Sequence, residues 1–240
     1  MTWLRRDGGY DVLFNRDERR TRKPAAPPRI VDTTGAQYIS PADGDFGGSW
    51  IGVNNHGLTL CLLNGYRPGD VLEPVDGEPV SRGLLLTSLM DCNDALQVER
   101  RLASLPMPRY RSFLLAVFQP FAPWRLASWS GRTVNVTDLL DAQRPLISSS
   151  FDTDAVCEQR RRLFRNGAGG SPSSVERLMA YHESHLPERG PCSPCMHRPD
   201  AATMSFSHVQ VDAREVRFRY VPHSPCKARP TGEPVVLPRD

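Results

Sequence analysis

The sequence has no long apolar run. The longest, Phe113 to Phe118, is six residues, whereas a membrane-spanning helix needs roughly 20, so no membrane span is expected. Lysine is nearly missing: Lys23 and Lys227 are the only two, and 28 of the 30 basic residues are arginine. With 22 prolines, this bias reads as the codon usage of a GC-rich genome. There is no block of one charge either. The densest basic stretches, Arg19 to Lys23 and Arg160 to Arg162, are short and flanked by acids, and the formal net charge is only +3. A surface that tracks phosphates needs a longer basic stripe, so no nucleic-acid partner is expected. Met1-Thr2-Trp3-Leu4-Arg5-Arg6 puts charge where the apolar core of a secretory signal would follow. Six cysteines in 240 residues are too few for a disulfide scaffold. They read as reduced thiols, and the expected location is cytoplasmic.

What is present is a globular composition, 39% hydrophobic and 24% charged. This length suits one large domain able to bury about three quarters of its unfolded surface. Residues 1–221 read as one domain, and 222–240 as an extended, proline-rich tail. Thr2 to Arg6, a turn at Asp7-Gly8-Gly9, and Tyr10 to Phe14 form an opening hairpin. Lys23 to Arg29, with three prolines, reads as an irregular crossing. Strands are expected near Gln37–Ser40, Ser49–Asn54, Leu58–Leu63, Phe113–Phe118, Trp124–Trp129, Thr133–Val136, Thr203–Val211 and Val216–Val221. Asn54-Asn55-His56-Gly57 supplies a hairpin turn, and Gly65 to Pro79 reads as loop. Helices are expected after caps at Ser81, Asn93, Asp152 and Ser173 or Ser174. The first would bury Leu84, Leu85, Leu89 and Met90. Antiparallel strand runs with helices grouped between them predict an α+β fold.

Two motifs carry the chemistry. Asn15-Arg16-Asp17-Glu18 comes directly after the apolar strand Leu13-Phe14. Gly47-Gly48-Ser49-Trp50-Ile51-Gly52 leads into Asn54-Asn55-His56-Gly57-Leu58 and then Leu63-Asn64. Together they resemble the NRDE family, also called the transport and Golgi organisation 2 family. Cys195-Met196-His197-Arg198 and Thr203-Met204-Ser205 resemble its late strand. The resemblance implies an N-terminal-nucleophile hydrolase fold, a four-layer αββα sandwich of two antiparallel sheets.

Bile-salt hydrolases and penicillin acylases are more distantly similar, with the same hairpin, polar cluster and Leu-Asn strand end. In those enzymes a leading cysteine thiol attacks an amide, its own α-amine serves as base, and an asparagine stabilises the oxyanion. Carried over, Asn64 would donate to the oxyanion. Arg16 and Asp17 would be the adjacent charges, while an overlay without gaps instead selects Asn15 and Glu18. Both registers stay open. Two departures stand out. Family members begin Met-Cys, whereas here Met1-Thr2-Trp3 opens the chain. The expectation is that the leading cysteine lies upstream of Met1. Thr2 reads as an ordinary strand residue, since an odd shift along a strand reverses the face. Ser148-Ser149-Ser150 also stands where the acylases place a second oxyanion asparagine.

Other motifs are read as structural. Cys192-Ser193-Pro194-Cys195-Met196-His197 brings three metal-type ligands together with Cys226 far away, and zinc needs four. It is read as part of a loop, Pro187 to Pro199, that is a candidate for flexibility, with no metal assigned. His182-Glu183-Ser184-His185 lacks the i, i+4 spacing of a zinc helix and reads as a helix end. Cys61 and Trp50 are expected in the core, with ligand stacking a second role open to Trp50. Two functions are implied by the resemblance: hydrolysis of a small linear amide, or non-catalytic handling of haem or lipid. The expected partner is thus a small amide or hydrophobic ligand, with no cofactor.

Overall fold

The computed structural model describes residues 1–66, 77–167, 174–227 and 232–240; most of the expected 65–79 loop lies outside them. The opening hairpin is β1 (Thr2–Arg6) and β2 (Gly9–Arg19). Gly8, at φ 72°, supplies the left-handed conformation of its turn. β2 also pairs with β10 (Ala201–Val211), which pairs with β11 (Glu215–Val221) and then β12 (Val235–Pro238). This gives a five-stranded antiparallel sheet in the order β1-β2-β10-β11-β12. The second sheet is a seven-stranded meander in chain order. Its strands are β3 (Ala26–Asp32), β4 (Gln37–Ala42), β5 (Ile51–Asn54), β6 (Thr59–Asn64), β7 (Phe113–Phe118), β8 (Arg125–Trp129) and β9 (Val134–Asp138).

Side-chain alternation along the strands makes the layers. Trp3, Tyr10, Val12, Ile51, Val53, Phe118, Val209 and Phe218 fill the space between the sheets. The outer face of the larger sheet, including Leu60, Leu62 and Leu115, buries α1 (Arg82–Ser88) and α2 (Ala95–Ser104) through Leu85, Leu86, Val98 and Leu102. The outer face of the smaller sheet, Leu13 and Phe206, packs on α3 (Thr153–Asn166) and α4 (Val175–Glu183) through Phe164 and Leu178. The expected αββα sandwich is therefore the observed one. No described helix is long and apolar enough to cross a membrane.

Several local expectations are corrected. β2 does not stop at Phe14 but runs through the polar motif to Arg19, because β10 pairs with it along that whole length. The proline-rich crossing at 23–29 is in part β3. It is an edge strand with a register shift between Ala26 and Arg29, the setting in which a sheet tolerates Pro27 and Pro28. Asp94, not Asn93, caps α2, accepting from the Gln97 amide at 2.7 Å. In α1, Leu84 is 45% exposed and Leu86 takes the buried place. Part of the C-terminal stretch becomes β12, through pairing with β11. The 187–199 segment is anchored by buried Ser193, whose hydroxyl lies 2.9 Å from the Gly190 carbonyl and 2.7 Å from that of Cys195.

The β4–β5 loop has a fixed shape. Asp43 closes it, exchanging backbone hydrogen bonds with Gly47 and Gly48, while its carboxylate accepts from the Asp45 and Phe46 amides. Gly47 adopts φ 71°, and a Cβ on Gly48 would lie 2.3 Å from the carbonyl carbon of Gly83. Both glycines of the motif are thus needed: one for its backbone angle, one so that the loop can rest against the start of α1.

Two measurements test this packing. Phe118→Ala, which opens the aromatic cluster of Trp3, Tyr10 and Trp124 (ring centroids 5.1–5.8 Å from Phe118), is expected to cost about 3–5 kcal/mol in denaturant unfolding. Gly48→Ala is expected to cost about 1–3 kcal/mol, because backbone rather than a flexible side chain must give way; an unchanged unfolding midpoint would contradict that contact.

Candidate functional site

The polar motif on β2 is divided by the pleat. Arg16 and Glu18 share the inter-sheet face with Tyr10, Val12 and Phe14, whereas Asn15 and Asp17 share the helix-facing side with Leu13. Each register left open by the sequence takes one residue from each face.

On the inter-sheet side, the Arg16 guanidinium lies 4.3 Å from the Trp50 ring centroid and 2.5 Å from the Asp43 carboxylate, with Glu18 at 3.4 Å. Arg22 joins the network through Asp43 at 2.8 Å and Asp45 at 3.1 Å. Arg16 is 8% exposed, so its charge is held by these acids and the ring face, not by water. The loop that Gly47 and Gly48 shape thus delivers both Asp43 and Trp50 to Arg16. Trp50 Nε1 is buried and has no hydrogen-bond partner.

On the helix side, Asp17 accepts from Thr203 Oγ1 at 2.6 Å and from the Arg160 guanidinium at 3.3 and 3.4 Å. Arg160 sits on the buried stripe of α3 with Val156 and Phe164, and it also donates to the Pro191 carbonyl at 3.2 Å. Asn15 Nδ2 donates to the carbonyls of His182 (3.0 Å) and Pro194 (2.9 Å), and its Oδ1 is buried without a partner.

The start of β1 lies in the field of this second group. The Met1 amine donates to the Leu146 carbonyl at 2.7 Å, and Leu146 N returns a bond to the Met1 carbonyl. Burial lowers the amine to a pKa of about 5; Arg160 pushes it the same way, while Cys61 and Asp17 oppose. Beside it on β6, burial drives the Cys61 thiol well up, so Cys61 is a neutral core thiol and not an activated nucleophile. Met1 and Trp3 face the inter-sheet core, but Thr2 turns the other way and bonds His182 Nε2 at 2.9 Å. Desolvation, with the amine and Arg160 nearby, pushes His182 well below its usual range, so this imidazole is neutral.

Asn64 ends β6. Its Nδ2 donates to Tyr66 Oη at 2.9 Å, and its carbonyl accepts from Ser148 Oγ at 2.5 Å. Ser148 lies two residues after Leu146, so the 146–148 segment ties the Met1 backbone to Asn64. Ser148 Oγ and Ser149 Oγ donate to the Asn64 and Phe151 carbonyls, so neither hydroxyl proton is free in the place of an oxyanion asparagine.

The structure thus gathers Arg160 and Asp17 around the start of β1 and links the Asn64 backbone carbonyl to it through the 146–148 segment. Arg16 and Glu18 form a neighbouring group across β2. Sequence reasoning passed over Arg160, Asp43 and the Thr2–His182 contact. Only Arg160 carried a signal: positions 156, 160 and 164 form an i, i+4, i+8 stripe in which one member is charged.

No curated protein matches the chain. Among solved structures it is similar to penicillin V acylase from Agrobacterium tumefaciens, at 12% identity and a TM-score of 0.56, covering 98% of this chain and 83% of that one. It is similar also to two variants of conjugated bile acid hydrolase from Clostridium perfringens. These have 11% and 12% identity, TM-scores of 0.51, and coverage of 99% and 100% of this chain and 95% and 97% of those. At such identities the likeness shows the fold, that of the N-terminal-nucleophile hydrolases. A sequence model of the Transport and Golgi organisation 2 family matches residues 7–153, which hold both the Asn15–Glu18 motif and the Gly47–Asn64 strands. The chain belongs to the Transport and Golgi organisation 2 family.

Proposed function

We propose that this chain is an amidohydrolase of the N-terminal-nucleophile type, acting on a small linear amide near the start of β1. The observation that carries this reading is the pair of half-buried Asp17 and buried Arg160 set against the backbone at Met1, with the Asn64 carbonyl tied to the same backbone through Leu146 and Ser148. Names of similar structures, penicillin V acylase and conjugated bile acid hydrolase, point to acylated amines as the substrate class.

The attacking group of this reaction class is a cysteine thiol that leads the strand. Its α-amine takes the thiol proton as sulfur attacks the carbonyl carbon. Asn64 Nδ2 spends one proton on Tyr66 and has a second to donate to the oxyanion. The tetrahedral adduct expels the amine, which leaves with the proton, and water hydrolyses the thioester. The unpaired Trp50 Nε1 beside Arg16 offers a donor for a polar group of the acyl part.

Strand alternation makes the test sharp. A cysteine two residues ahead of Met1 shares the inter-sheet face of Met1 and Trp3; a cysteine one residue ahead shares the face of Thr2. Extended chains carrying each, with the initiator methionine removed, are assayed on N-acyl amides and labelled with an irreversible thiol reagent. Turnover and labelling are expected only in the first. Within that chain Asn64→Ala is expected to lower kcat about 10²–10³-fold. No turnover in either extension, with saturable binding of haem or lipid by both, would replace hydrolysis with carriage.

The buried amine also sets a pH dependence of stability for the chain beginning at Met1. A cationic group whose pKa falls from 8.0 to about 5 on folding binds fewer protons folded than unfolded between those values. Stability therefore rises with pH across that window, by at most about 1.4 kcal/mol per pH unit for one group, and levels off above it. His182 adds in the same direction below its ordinary value. Urea unfolding at pH 5.5 and 8 checks this; equal free energies at the two pH values would refute it.

A further inference from the structure

Three separated segments meet behind the site. His185 lies just past the end of α4, Cys195 and His197 lie before β10, and Cys226 comes after β11. One ligand atom from each of these four residues falls within 4.8 Å of every other. His197 Nε2 is 3.5 Å from Cys195 Sγ and 3.5 Å from Cys226 Sγ. His185 Nε2 is buried and has no hydrogen-bond partner, although its ring centroid lies 5.0 Å from that of His197. We propose that His185, Cys195, His197 and Cys226 bind one zinc ion in a closed, tetrahedral site.

Metal geometry accounts for the spacing. With Zn–S near 2.3 Å and Zn–N near 2.0–2.1 Å at a tetrahedral angle, the sulfur–nitrogen edge is about 3.6 Å, which both Cys–His distances match. Two thiolates and two imidazoles in a tetrahedron select zinc among the common divalent ions. The buried His185 Nε2, costly as an orphan, gains a partner.

The backbone already holds the ligands in place. Cys195 N donates to the Ser184 carbonyl, His197 N to Gly190, Met196 N to Thr203 Oγ1 at 2.9 Å, and Ser224 Oγ to the Thr203 carbonyl at 2.6 Å. One adjustment is needed. Arg189 Nη2 is 3.5 Å from His197 Nδ1, which carries the proton once Nε2 binds metal, so this exposed guanidinium turns outward. Cys192, paired with Cys195 in the sequence motif, is not in the cluster; His185 takes its place.

Four protein ligands leave no open position, so the ion is structural. It clamps the segment after β11 to the 184–197 segment, whose Pro194 and Pro191 carbonyls receive Asn15 and Arg160. The site does not depend on any hydrolytic activity.

The test uses the full chain, purified under reducing conditions without chelators, equilibrated with zinc and desalted. About one zinc per chain is expected by elemental analysis, unchanged in Cys192→Ser. In Cys226→Ser and His185→Ala the zinc affinity falls about tenfold or more, since losing even an outer-sphere partner costs that much. Cobalt(II) loaded into the unmodified chain should show the intense visible bands of tetrahedral thiolate coordination, a readout that stands even if a variant fails to fold. The proposal is overturned if the unmodified chain retains no zinc, if cobalt shows an octahedral spectrum, if Cys192→Ser loses zinc as Cys226→Ser does, or if mass spectrometry finds Cys195 and Cys226 joined as a disulfide.

Discussion

Side-chain alternation along β2 is the constraint on which the site depends. A strand sandwiched between a second sheet and a helical layer has little solvent access on either face, so buried Arg16 and half-buried Asn15, Asp17 and Glu18 are each met by protein. Burying a charge without a partner costs several kcal/mol. Both layers therefore have to provide counter-groups within hydrogen-bonding range. The inter-sheet side does so with Asp43 and Trp50 from the β4–β5 loop. The helix side does so with Arg160 from α3 and Thr203 from β10. A motif that looks like a solvated turn in one dimension becomes the pivot around which four layers register.

That requirement explains features elsewhere. Gly47 and Gly48 are needed for the loop that carries Asp43, and the loop rests on Gly83 at the start of α1. The helical layer outside one sheet is thereby coupled to a charge buried between the two. On the other side, the 184–197 segment lends its carbonyls to Asn15 and Arg160, so its anchoring sets how firmly those side chains are held. The Cys–His cluster takes ligands from both ends of that segment, His185 at one and Cys195 and His197 at the other, where a cation would join it to the chain after β11. The site and its support thus form one connected hydrogen-bonded body, not a set of residues on separate loops.

Much of this is legible in one dimension where the pattern is local. The hairpin, the apolar strand Phe113–Phe118, the helix capped by Asp152 and the terminal strands all arise from alternation, turn residues and caps, which act over a few neighbours. The errors fall where partners are distant. Charged residues usually end strands, which points to a β2 ending at Phe14; the pairing with β10, some 190 residues away in sequence, carries it to Arg19. Prolines at 27 and 28 suggest a loop, and only the edge position of β3 makes a strand possible there. Cys192 looks like a ligand because it is near Cys195 in the chain, yet the fold brings His185 instead.

Sequence by itself determined the α+β class through periodicity, and the family through motif order; the αββα layering was what the family resemblance implied. Tertiary structure alone decided that Asn15 and Asp17 face one layer while Arg16 and Glu18 face the other, that Arg160 is the counter-charge of Asp17, and that His185 and Cys226 meet across two loops. The reason is that a buried charge or a metal ligand is defined by what surrounds it in three dimensions, and the groups that surround these come from elements far apart along the chain.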